Sequence, residues 1–467
     1  MSSLTVIGAR RHRRRSLREQ IDGRATRVSL GRRLGVGLER TIYAIAGLPI
    51  ALNGPSSAPT SHARIIRRAF ARRYWRPDSV GDAAALAVGI LLAPLAVPAA
   101  ALWYTARNGP IIGKREGKSM LRQFDEQLRL YVSNGIFGPW YYIFSLHRDG
   151  RRRAPSFLQR SETKRGIYGL LRADVSTPLG NKRLFADRCA AVGVRCVACE
   201  LAVDTGEVDP ALLPDCDLFV KPLKASGGSG AERWDRVAPR RWSDGERQVS
   251  GAELVEHLRS KDRPYIVQRR IRPHPALEAL TSGAVPTVRA LTIIDEQGQP
   301  EIVGASFRMS VGSNRTVDNI HAGGLACRVS LEEGTLGMAS NLGSDARLGW
   351  HGRHPTTGAQ IEGTRLPFWD ELKDVAVRAH SAFEGRVVVG WDIAIDEEGP
   401  VIIEGNRGPD MDLMQRFMET GFCGEHRFGE LIANHLVMRG YGLPKGVSVP
   451  GAIQSIGGPG AAGTSAK

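Results

Sequence analysis

Cysteine is scarce in this chain, with six residues among 467, scattered between positions 189 and 423. Small disulfide-stabilised secreted domains need many closely spaced cysteines, so the composition excludes that class and favours a reducing compartment. Cys196 and Cys199 match the pattern C-x-x-C, but no second cysteine pair or histidine pair follows nearby to complete a zinc site. We therefore interpret both as structural cysteines of a buried strand.

Lysine is absent from residues 1–80, and acidic residues are few there. Seventeen arginines and four acidic residues give this segment a net charge of +13, out of +16 for the whole chain. The basic charge therefore belongs to an N-terminal arm and not to the body of the protein. We expect residues 1–80 to be partly disordered. The arm could bind anionic lipid or nucleic acid, and we do not expect nucleic acid to be the partner.

Charge is absent from residues 83–106, which make an apolar run bounded by Asp82 and Arg107. The run is long enough to span a bilayer, although Pro94 and Pro98 also fit a kinked, partly inserted or buried helix. Arginines on both sides give no orientation by the positive-inside rule. We expect segment 81–106 to associate with the inner face of the cell membrane, next to a cytoplasmic catalytic domain, and leave open whether it crosses.

The rest of the chain divides into a helical region and a mixed enzyme body. Three- and four-residue apolar spacings predict a helical region over 118–146, and residues 148–153 resemble a linker, so we group 107–165 together. From residue 166 the pattern alternates, with helices at 181–192 and 251–260 and strands at 195–203, 218–222, 265–270, 288–294 and 302–309. This order predicts an α+β catalytic domain over 166–443, followed by a flexible Gly/Ala/Ser-rich tail, 444–467.

Residues 387–406 read as a hairpin that carries oxygen ligands. Two β-branched apolar runs flank the polar turn at 396–400, as expected for two antiparallel strands joined by a short loop. Asp392, Glu404 and Asn406 could then converge on a hard cation such as Mg²⁺. An exposed hairpin with acidic residues on its wet side is the alternative.

A lysine and a glycine-rich loop follow the apolar strand at 218–222. In the run Lys221-Pro-Leu-Lys-Ala-Ser-Gly-Gly-Ser-Gly230, the glycines would let backbone amides approach phosphate oxygens while Lys221 adds positive charge. The run is not a P-loop, because no Gly-Lys-Ser/Thr opens a helix. A flexible hairpin tip remains the other interpretation.

The order of these motifs resembles the ATP-grasp superfamily over residues 166–442. The resemblance rests on the lysine that opens the helix at 181–192, the lysine strand with its glycine loop, the strand Tyr265-Ile-Val-Gln-Arg-Arg-Ile, and the hairpin. It implies two α+β subdomains that grip ATP, with adenine read by the backbone at Arg269 and Ile271. Where the family usually has Glu, this chain has Gln268. The nucleotide-binding residues it implies are Lys182, Lys221, Ser226, Gly227, Gly228, Ser229, Gly230, Gln268, Arg269 and Ile271.

Two arginine-bearing segments, Thr-Val-Arg289-Ala and Ser-Phe-Arg308-Met, resemble strands of the glutamate-ligase branch of that superfamily. They imply that both arginines neutralise the transferred phosphate and the acyl-phosphate transition state. The run Asp-Asn319-Ile-His321-Ala-Gly-Gly is similar to a loop of that branch near the same phosphate, so Asn319 and His321 are expected to be catalytic. For an arginine alone, a surface salt bridge is the alternative.

Within this superfamily, several sequence runs resemble the sugar-transfer-associated ATP-grasp family, whose members are expected to act in cell-surface polysaccharide biosynthesis. These runs are Val-Gln-Arg-Arg-Ile-Arg-Pro-His-Pro, Val-Asp-Asn-Ile-His-Ala-Gly-Gly-Leu, His-Pro-Thr-Thr-Gly and Val-Gly-Trp-Asp-Ile-Ala. The resemblance implies ATP and Mg²⁺, with Mn²⁺ as a substitute, held at Asp392, Glu404 and Asn406.

The reaction implied is activation of a carboxylate as an acyl phosphate, which an amine or other nucleophile then attacks. A phosphotransferase acting on a sugar and a non-catalytic, membrane-tethered ATP-binding subunit stay open as alternatives. The carboxylate, the nucleophile and the oligomeric state are not specified by the sequence.

Overall fold

The computed structural model describes residues 30–172, 178–204, 206, 208–223, 230–261, 263–347, 349–383 and 385–442. Residues 1–29 of the predicted arm, the tail 444–467 and the loop residues Ser226, Gly227, Gly228 and Ser229 lie outside the described residues. The described part of the chain contains a helical N-terminal region and two antiparallel sheets with their associated helices.

Long helices form the N-terminal region: α1 (Leu30–Asn53), α2 (Ser61–Tyr74), α3 (Val80–Glu116) and α4 (Met120–Asn134). Each of the last three begins at a hydroxyl side chain, Thr60, Ser79 or Ser119, that accepts a hydrogen bond from a first-turn backbone N–H. The helix α3 is longer than the apolar run that predicted it. By length and composition, residues 35–53 and α3 are both apolar enough to cross a membrane.

The predicted helical region 118–146 is interrupted. Gly135 has a left-handed backbone (φ 69°) and ends α4, since such a residue satisfies the last carbonyls of a helix and cannot continue it. A short helix α5 (Trp140–Ile143) follows, and the predicted linker contains α6 (Gly150–Arg153) with Gly150 buried. The π-helix Glu162–Ile167 and α7 (Tyr168–Leu170) then lead into the catalytic body.

The first sheet has six strands in the order β1-β6-β2-β3-β4-β5 within the described residues. Its strands are β1 (Leu201–Val203), β2 (Leu218–Pro222), β3 (Glu232–Ala238), β4 (Arg241–Ser243), β5 (Gln248–Ser250) and β6 (Tyr265–Arg269). The predicted helices form as α8 (Lys182–Ala191) and α9 (Gly251–Arg259). The core of this sheet packs Trp234 and Trp242 against Leu254 of α9.

The second sheet has seven described strands in the order β11-β10-β9-β8-β7-β12-β13. They are β7 (Thr287–Ile294), β8 (Pro300–Met309), β9 (Leu325–Val329), β10 (Leu336–Ser340), β11 (Trp350–His351), β12 (Val388–Asp396) and β13 (Gly399–Asn406). The helices are α10 (Pro275–Glu278), α11 (Trp369–Ser381), α12 (Met411–Phe417) and α13 (Arg427–Met438). Two antiparallel sheets with packed helices confirm the predicted α+β class.

The predicted strand 195–203 is wrong in extent, because only β1 at its end is a strand. The segment passes from one sheet to the other: Cys196 bridges Ile402 of β13, whereas Leu201 pairs with Val267 of β6. Between them, the side-chain amide of Gln268 lies 3.4 Å from the carbonyls of Val197 and Ala198. Cys196 and Cys199 are accordingly half-buried and outside any strand, which corrects their interpretation as buried strand residues.

Candidate active site

A cavity of about 420 Å³ lies between the two sheets. Residues of β2 and β6 line one side and residues of β7, β8, β12 and β13 line the other. The described residues predicted from the sequence that line it are Lys182, Lys221, Gln268, Arg269, Ile271, Arg289, Arg308, Asn319, His321, Asp392, Glu404 and Asn406. The fold therefore brings together side chains that are more than 200 positions apart in the chain.

Strand register places the predicted phosphate and metal residues side by side. Asp392 on β12 is directly opposite Arg289 on β7 and Glu404 on β13. The hairpin predicted at 387–406 is therefore confirmed, with its turn at the expected place. Nη2 of Arg289 donates to Oδ2 of Asp392 at 3.0 Å, and Nε of the same guanidinium donates to Oδ1.

Arg308 on β8 completes this network from the neighbouring strand. Its Nη2 lies 3.1 Å from Oδ2 of Asp392 and 2.6 Å from the hydroxyl of Thr287, which is its register partner on β7. The Thr287 hydroxyl in turn donates to Asp318, whose Oδ2 lies 3.4 Å from Nε of Arg308. Two carboxylates and a hydroxyl thus fix one guanidinium at the cavity wall.

The charges in this network reinforce one another. Burial raises the pKa of Asp392, which is 5% exposed, but the guanidinium groups of Arg289 and Arg308 outweigh burial and hold the pKa well below its usual range. Burial lowers the pKa of Arg308 while Asp318 and Asp392 raise it by more, so its net shift is upward. Asp392 is therefore the shared counter-ion of the two guanidinium groups.

Glu404 is the less compensated carboxylate. Burial raises its pKa, and the nearby charge of Asp392 raises it further, against the opposing effect of Lys221. The amide Nδ2 of Asn406 lies 3.4 Å from an oxygen of each of the two carboxylates. Glu404 is therefore the carboxylate that a divalent cation, bound next to the Asn406 amide, would stabilise in its charged form.

Oxygen donors of this kind suit Mg²⁺, which takes one or two carboxylates together with waters and substrate phosphates. Across the described residues, no three or more His, Cys, Asp or Glu side chains cluster in a way that could hold a metal by themselves. Glu404 and Asn406, with Asp392 beside them, are the residues that could hold such a cation together with phosphate oxygens.

Two lysines approach the carboxylates: Lys221 from β2 of the first sheet, and Lys182 from α8, whose Phe185 packs with Trp391 of the second sheet. Nζ of Lys182, at the start of α8, donates to the carbonyls of Pro222 and Leu223 at 3.2 Å. Burial lowers the pKa of Lys221 to about 8, against the opposing effect of Glu404. Burial likewise lowers the pKa of Lys182. Two partly desolvated ammonium groups next to one cavity provide a favourable site for an anion.

The predicted adenine-reading strand is β6 with the residues just after it. Gln268 is buried, and its amide contacts with the carbonyls of Val197 and Ala198 position the segment opposite β6. The side chain of Arg269 points to solvent and pairs with Glu200 at 3.0 Å. Ile271 lines the cavity. Because the side chain of Arg269 is directed to solvent, only the backbone of this residue could face a ligand in the cavity.

The loop after β8 contributes the two remaining predicted catalytic residues. Oδ1 of Asn319 accepts from the backbone N–H of His321 at 3.0 Å, which caps the short helix Ile320–Ala322, while the imidazole of His321 is exposed at the cavity. A Cβ on Gly324 would lie 2.6 Å from the carbonyl oxygen of Asp318, so only glycine fits this turn. Asn319 therefore has a structural contact in addition to its place on the wall.

Gly230 is the one residue of the predicted phosphate loop that belongs to the described part of the chain. Its φ is +75°, and an added Cβ would lie 3.1 Å from the Tyr265 hydroxyl and 3.2 Å from Cγ of Pro222. Both the left-handed backbone and the close approach require glycine where the loop rejoins β3.

Sequence reasoning missed several cavity residues: Thr287, Asp318, Arg233, Arg270, Arg315 and Asp410. Thr287 could have been predicted as a cavity residue, because it lies two positions before Arg289 and alternation places both side chains on one face of β7. Asp318 could have been found as the acidic residue that opens the Asn319–His321 loop. Asp410 had no signal, since its ion pairs with Arg160 and Lys164 join it to residues some 250 positions earlier.

Comparison with known proteins gives one family match and distant structural similarity. The model of the sugar-transfer associated ATP-grasp family matches residues 179–427. No curated protein is similar enough to match the chain.

Three solved ligases illustrate the structural similarity. VanG D-Ala:D-Ser ligase from Enterococcus faecalis is 12% identical, with a TM-score of 0.29 over 56% of this chain and 61% of that one. L-amino acid ligase from Bacillus licheniformis is 12% identical, with a TM-score of 0.31 over 53% and 47%. D-alanine–D-alanine ligase from Bacillus anthracis, complexed with ATP, is 10% identical, with a TM-score of 0.31 over 56% and 66%. The chain spans about half to two thirds of these proteins.

Proposed function

Because the chain belongs to the sugar-transfer associated ATP-grasp family, we propose that it is an ATP- and Mg²⁺-dependent, ADP-forming ligase that joins a carboxylate to an amine or other nucleophile. The observation that supports this best is the convergence on one cavity of Lys221 from the first sheet and Lys182 from α8 with Arg289 and Arg308 from the second sheet. Four cations around one cavity match the charge of a triphosphate and a reacting carboxylate.

In the proposed reaction, a carboxylate oxygen of the substrate attacks the γ-phosphorus of ATP, the bond to the β-phosphate oxygen breaks, and ADP leaves. The nucleophile then attacks the carbonyl carbon of the acyl phosphate, inorganic phosphate leaves, and the nucleophile loses its proton to solvent or to phosphate. No protein side chain has to form a covalent bond. The protein contributes positioning and charge neutralisation, as in other phosphoryl transfers.

The roles proposed for the residues follow from their places. Lys182 and Lys221 bind phosphate oxygens, and the backbone at Arg269 and Ile271 faces adenine. Arg289 and Arg308 face the transferred phosphate, next to His321. Glu404 and Asn406, with Asp392, would hold Mg²⁺, which supplies positive charge to the β- and γ-phosphates. The domain assignments 81–106 for the apolar segment, 107–165 for the helical region and linker, and 166–443 for catalysis are part of the same proposal.

The family's association with sugar transfer supports a role in cell-surface polysaccharide biosynthesis or modification. We therefore propose that one of the two substrates is a sugar or a sugar-linked carrier. The carboxylate belongs to an amino acid, a hydroxy acid or a uronic acid.

The test is a substrate screen on purified full-length protein. ATP and Mg²⁺ are combined with amino acids, hydroxy acids and uronic acids, with and without amines, while ADP release and product mass are followed. We expect ADP and inorganic phosphate in equal amounts with an acyl-linked product. A phosphorylated sugar without free phosphate would establish the phosphotransferase alternative, and absence of turnover with measurable ATP binding would favour the non-catalytic one.

Glu404→Gln and Lys221→Ala are expected to abolish this turnover. The matched control is Glu397→Gln, which changes an exposed glutamate in the turn of the same hairpin and should leave activity intact. Normal turnover in both site variants would contradict the assignment of this cavity.

A further inference from the structure

The outward face of α3 is apolar and exposed. Six large side chains on it, Val88, Leu91, Leu92, Leu95, Leu102 and Trp103, are 45–76% exposed. The opposite face is packed, since Ala85, Gly89, Ala93 and Val97 are buried. A Cβ on Gly89 would lie 2.7 Å from Cβ of Ala44 on α1, so the two helices are in close contact. One face of α3 is therefore packed against the protein and the other is exposed to solvent. No charged residue occurs on either face over 24 residues.

Both ends of the apolar run are attached to the protein. Asp82, at the start, accepts from Nη2 of Arg165 in the π-helix at 2.6 Å. Arg107, at the end, donates to Asp345 at 2.9 Å, and Asn108 accepts from the backbone N–H of Ala346 at 2.8 Å. The 25 residue-to-residue steps of helix from Asp82 to Arg107 span ~37 Å, more than the ~30 Å hydrocarbon core of a bilayer. A crossing helix would therefore place Asp82 and Arg107 on opposite sides.

The two attachment points belong to one compact body. In the segment that leads into the π-helix, Arg160 donates to Asp412 of α12 at 3.0 Å. Four residues before Asp345, the chain is held by Arg416 of the same helix, whose Nε donates to the carbonyl of Asn341 at 2.8 Å. The helix α12 has seven residues and is only ~10 Å long. No bilayer fits between contacts that meet on so short a helix.

We propose that α3 does not cross the membrane but lies flat on an anionic bilayer, with its exposed leucines immersed among the acyl chains. Aromatic and cationic side chains flank the face at both ends. Trp75, which is 47% exposed, and Arg76 precede it, and Trp103, Lys114 and Arg115 occupy its other end. This pattern of an apolar stripe bounded by tryptophan and cations suits the interface between headgroups and acyl chains.

Charge also distinguishes a lipid surface from a second copy of the chain. Two such faces packed together, parallel or antiparallel, would bring cationic ends against cationic ends. An anionic bilayer instead offers complementary charge to the cations at both ends of the helix, and the +13 of residues 1–80 adds to the attraction. In this orientation the exposed face of α3 docks on the membrane, and every other described element lies on one side of the bilayer.

The first test measures binding of full-length protein to vesicles of phosphatidylcholine with a minority of phosphatidylglycerol. The double variant Leu91→Asp/Leu95→Asp should weaken binding about tenfold or more, because two immersed side chains become charged. Leu212→Asp is the control, since Leu212 is 61% exposed on the first sheet's side of the molecule. Leu91→Ala/Leu95→Ala, which keeps the helix favourable, should weaken binding less, and circular dichroism verifies folding.

Unchanged binding in the aspartate variant would overturn the proposal. The proposal would also be overturned if the wild-type protein does not bind vesicles but forms a dimer, and the aspartate variant is a monomer. The exposed face of α3 would then be a protein interface.

The second test addresses crossing directly. Asp78→Cys and Lys114→Cys place thiols just beyond the two ends of the apolar run, both exposed. In spheroplasts of an expression host, a membrane-impermeant maleimide should label neither position until the membrane is permeabilised, when both are labelled. Labelling of one position in intact spheroplasts would show a spanning helix and refute the flat orientation. Mass spectrometry of the labelled peptides separates these thiols from the native cysteines.

Discussion

Replacing Asp392 by asparagine removes the counter-ion of two arginines. The variant keeps the size of the side chain but leaves the guanidiniums of Arg289 and Arg308 facing Lys221 with one carboxylate fewer. Removing one partner of a buried ion pair costs ~3–5 kcal/mol. Asp392 is 5% exposed and contacts both arginines, so that range applies without reduction for solvent. We expect the free energy of unfolding to fall by this amount.

The assay is urea unfolding followed by tryptophan fluorescence, for which fully buried Trp391 is an adjacent reporter. Asp396→Asn is the control. Asp396 lies on the same strand but pairs with Arg195 near solvent, so its loss should cost at most ~1 kcal/mol. Because the pKa of Asp392 is lowered in the folded state, its contribution is complete above the unfolded pKa and is lost as pH falls through the folded value. The difference between variant and wild type should therefore be constant from pH 5 to pH 8.

ATP provides a further check on the same residue. Its phosphates supply negative charge to the two arginines, so saturating ATP should narrow the stability gap between Asp392→Asn and wild type. The ATP is added without Mg²⁺, because Asp392 is also proposed to help hold the metal. A variant as stable as Asp396→Asn, or a gap that widens with ATP, would refute the view that Asp392 neutralises the phosphate-binding arginines.

Three further predictions concern single groups. Burial lowers the pKa of Lys221 to about 8, so ATP affinity should fall between pH 7 and pH 9 as this lysine loses its charge. The free energy of unfolding should rise between pH 8 and pH 10.5, the pKa of the same lysine in the unfolded chain. Lys221→Arg should remove the change in ATP affinity, as measured by calorimetric titration. Thr287→Val removes the hydroxyl that accepts from Arg308, so kcat should fall ~10–100-fold with little change in the KM for ATP. Gly324→Ala should lower turnover while ATP binding persists. Gly37→Ala, with open space around it, should leave both turnover and ATP binding unchanged. Equal activity in the two glycine variants would contradict the close approach of Gly324 to Asp318.

Local patterns were sufficient for the parts of the site that lie within one element. Two β-branched apolar runs around a polar turn in residues 387–406 predicted a hairpin, and the register of the structure places Asp392 opposite Glu404. The helix that begins at Lys182 was likewise visible, because its polar start and apolar spacing are local.

Contacts between distant elements could not be predicted in this way. Residues 195–203 have the composition of one strand, yet the chain there leaves one sheet for the other, which depends on Ile402 and Val267 and not on the segment itself. The fixing of Arg308 by Asp318, and of Asp410 by Lys164, also joins separate elements. The flat attachment of α3 depends on ion pairs at its two ends, whereas hydropathy reports only that the run is apolar.

The central claim is that a carboxylate is activated as an acyl phosphate at the cavity between the sheets. It is tested most directly with a substrate carboxylate labelled with ¹⁸O, once the screen has identified one. An acyl phosphate transfers one carboxylate oxygen to the departing phosphate, so we predict one ¹⁸O atom in the inorganic phosphate formed with each ADP, and none in the Glu404→Gln variant. Inorganic phosphate free of label, with both ¹⁸O atoms retained in the product, would contradict the account.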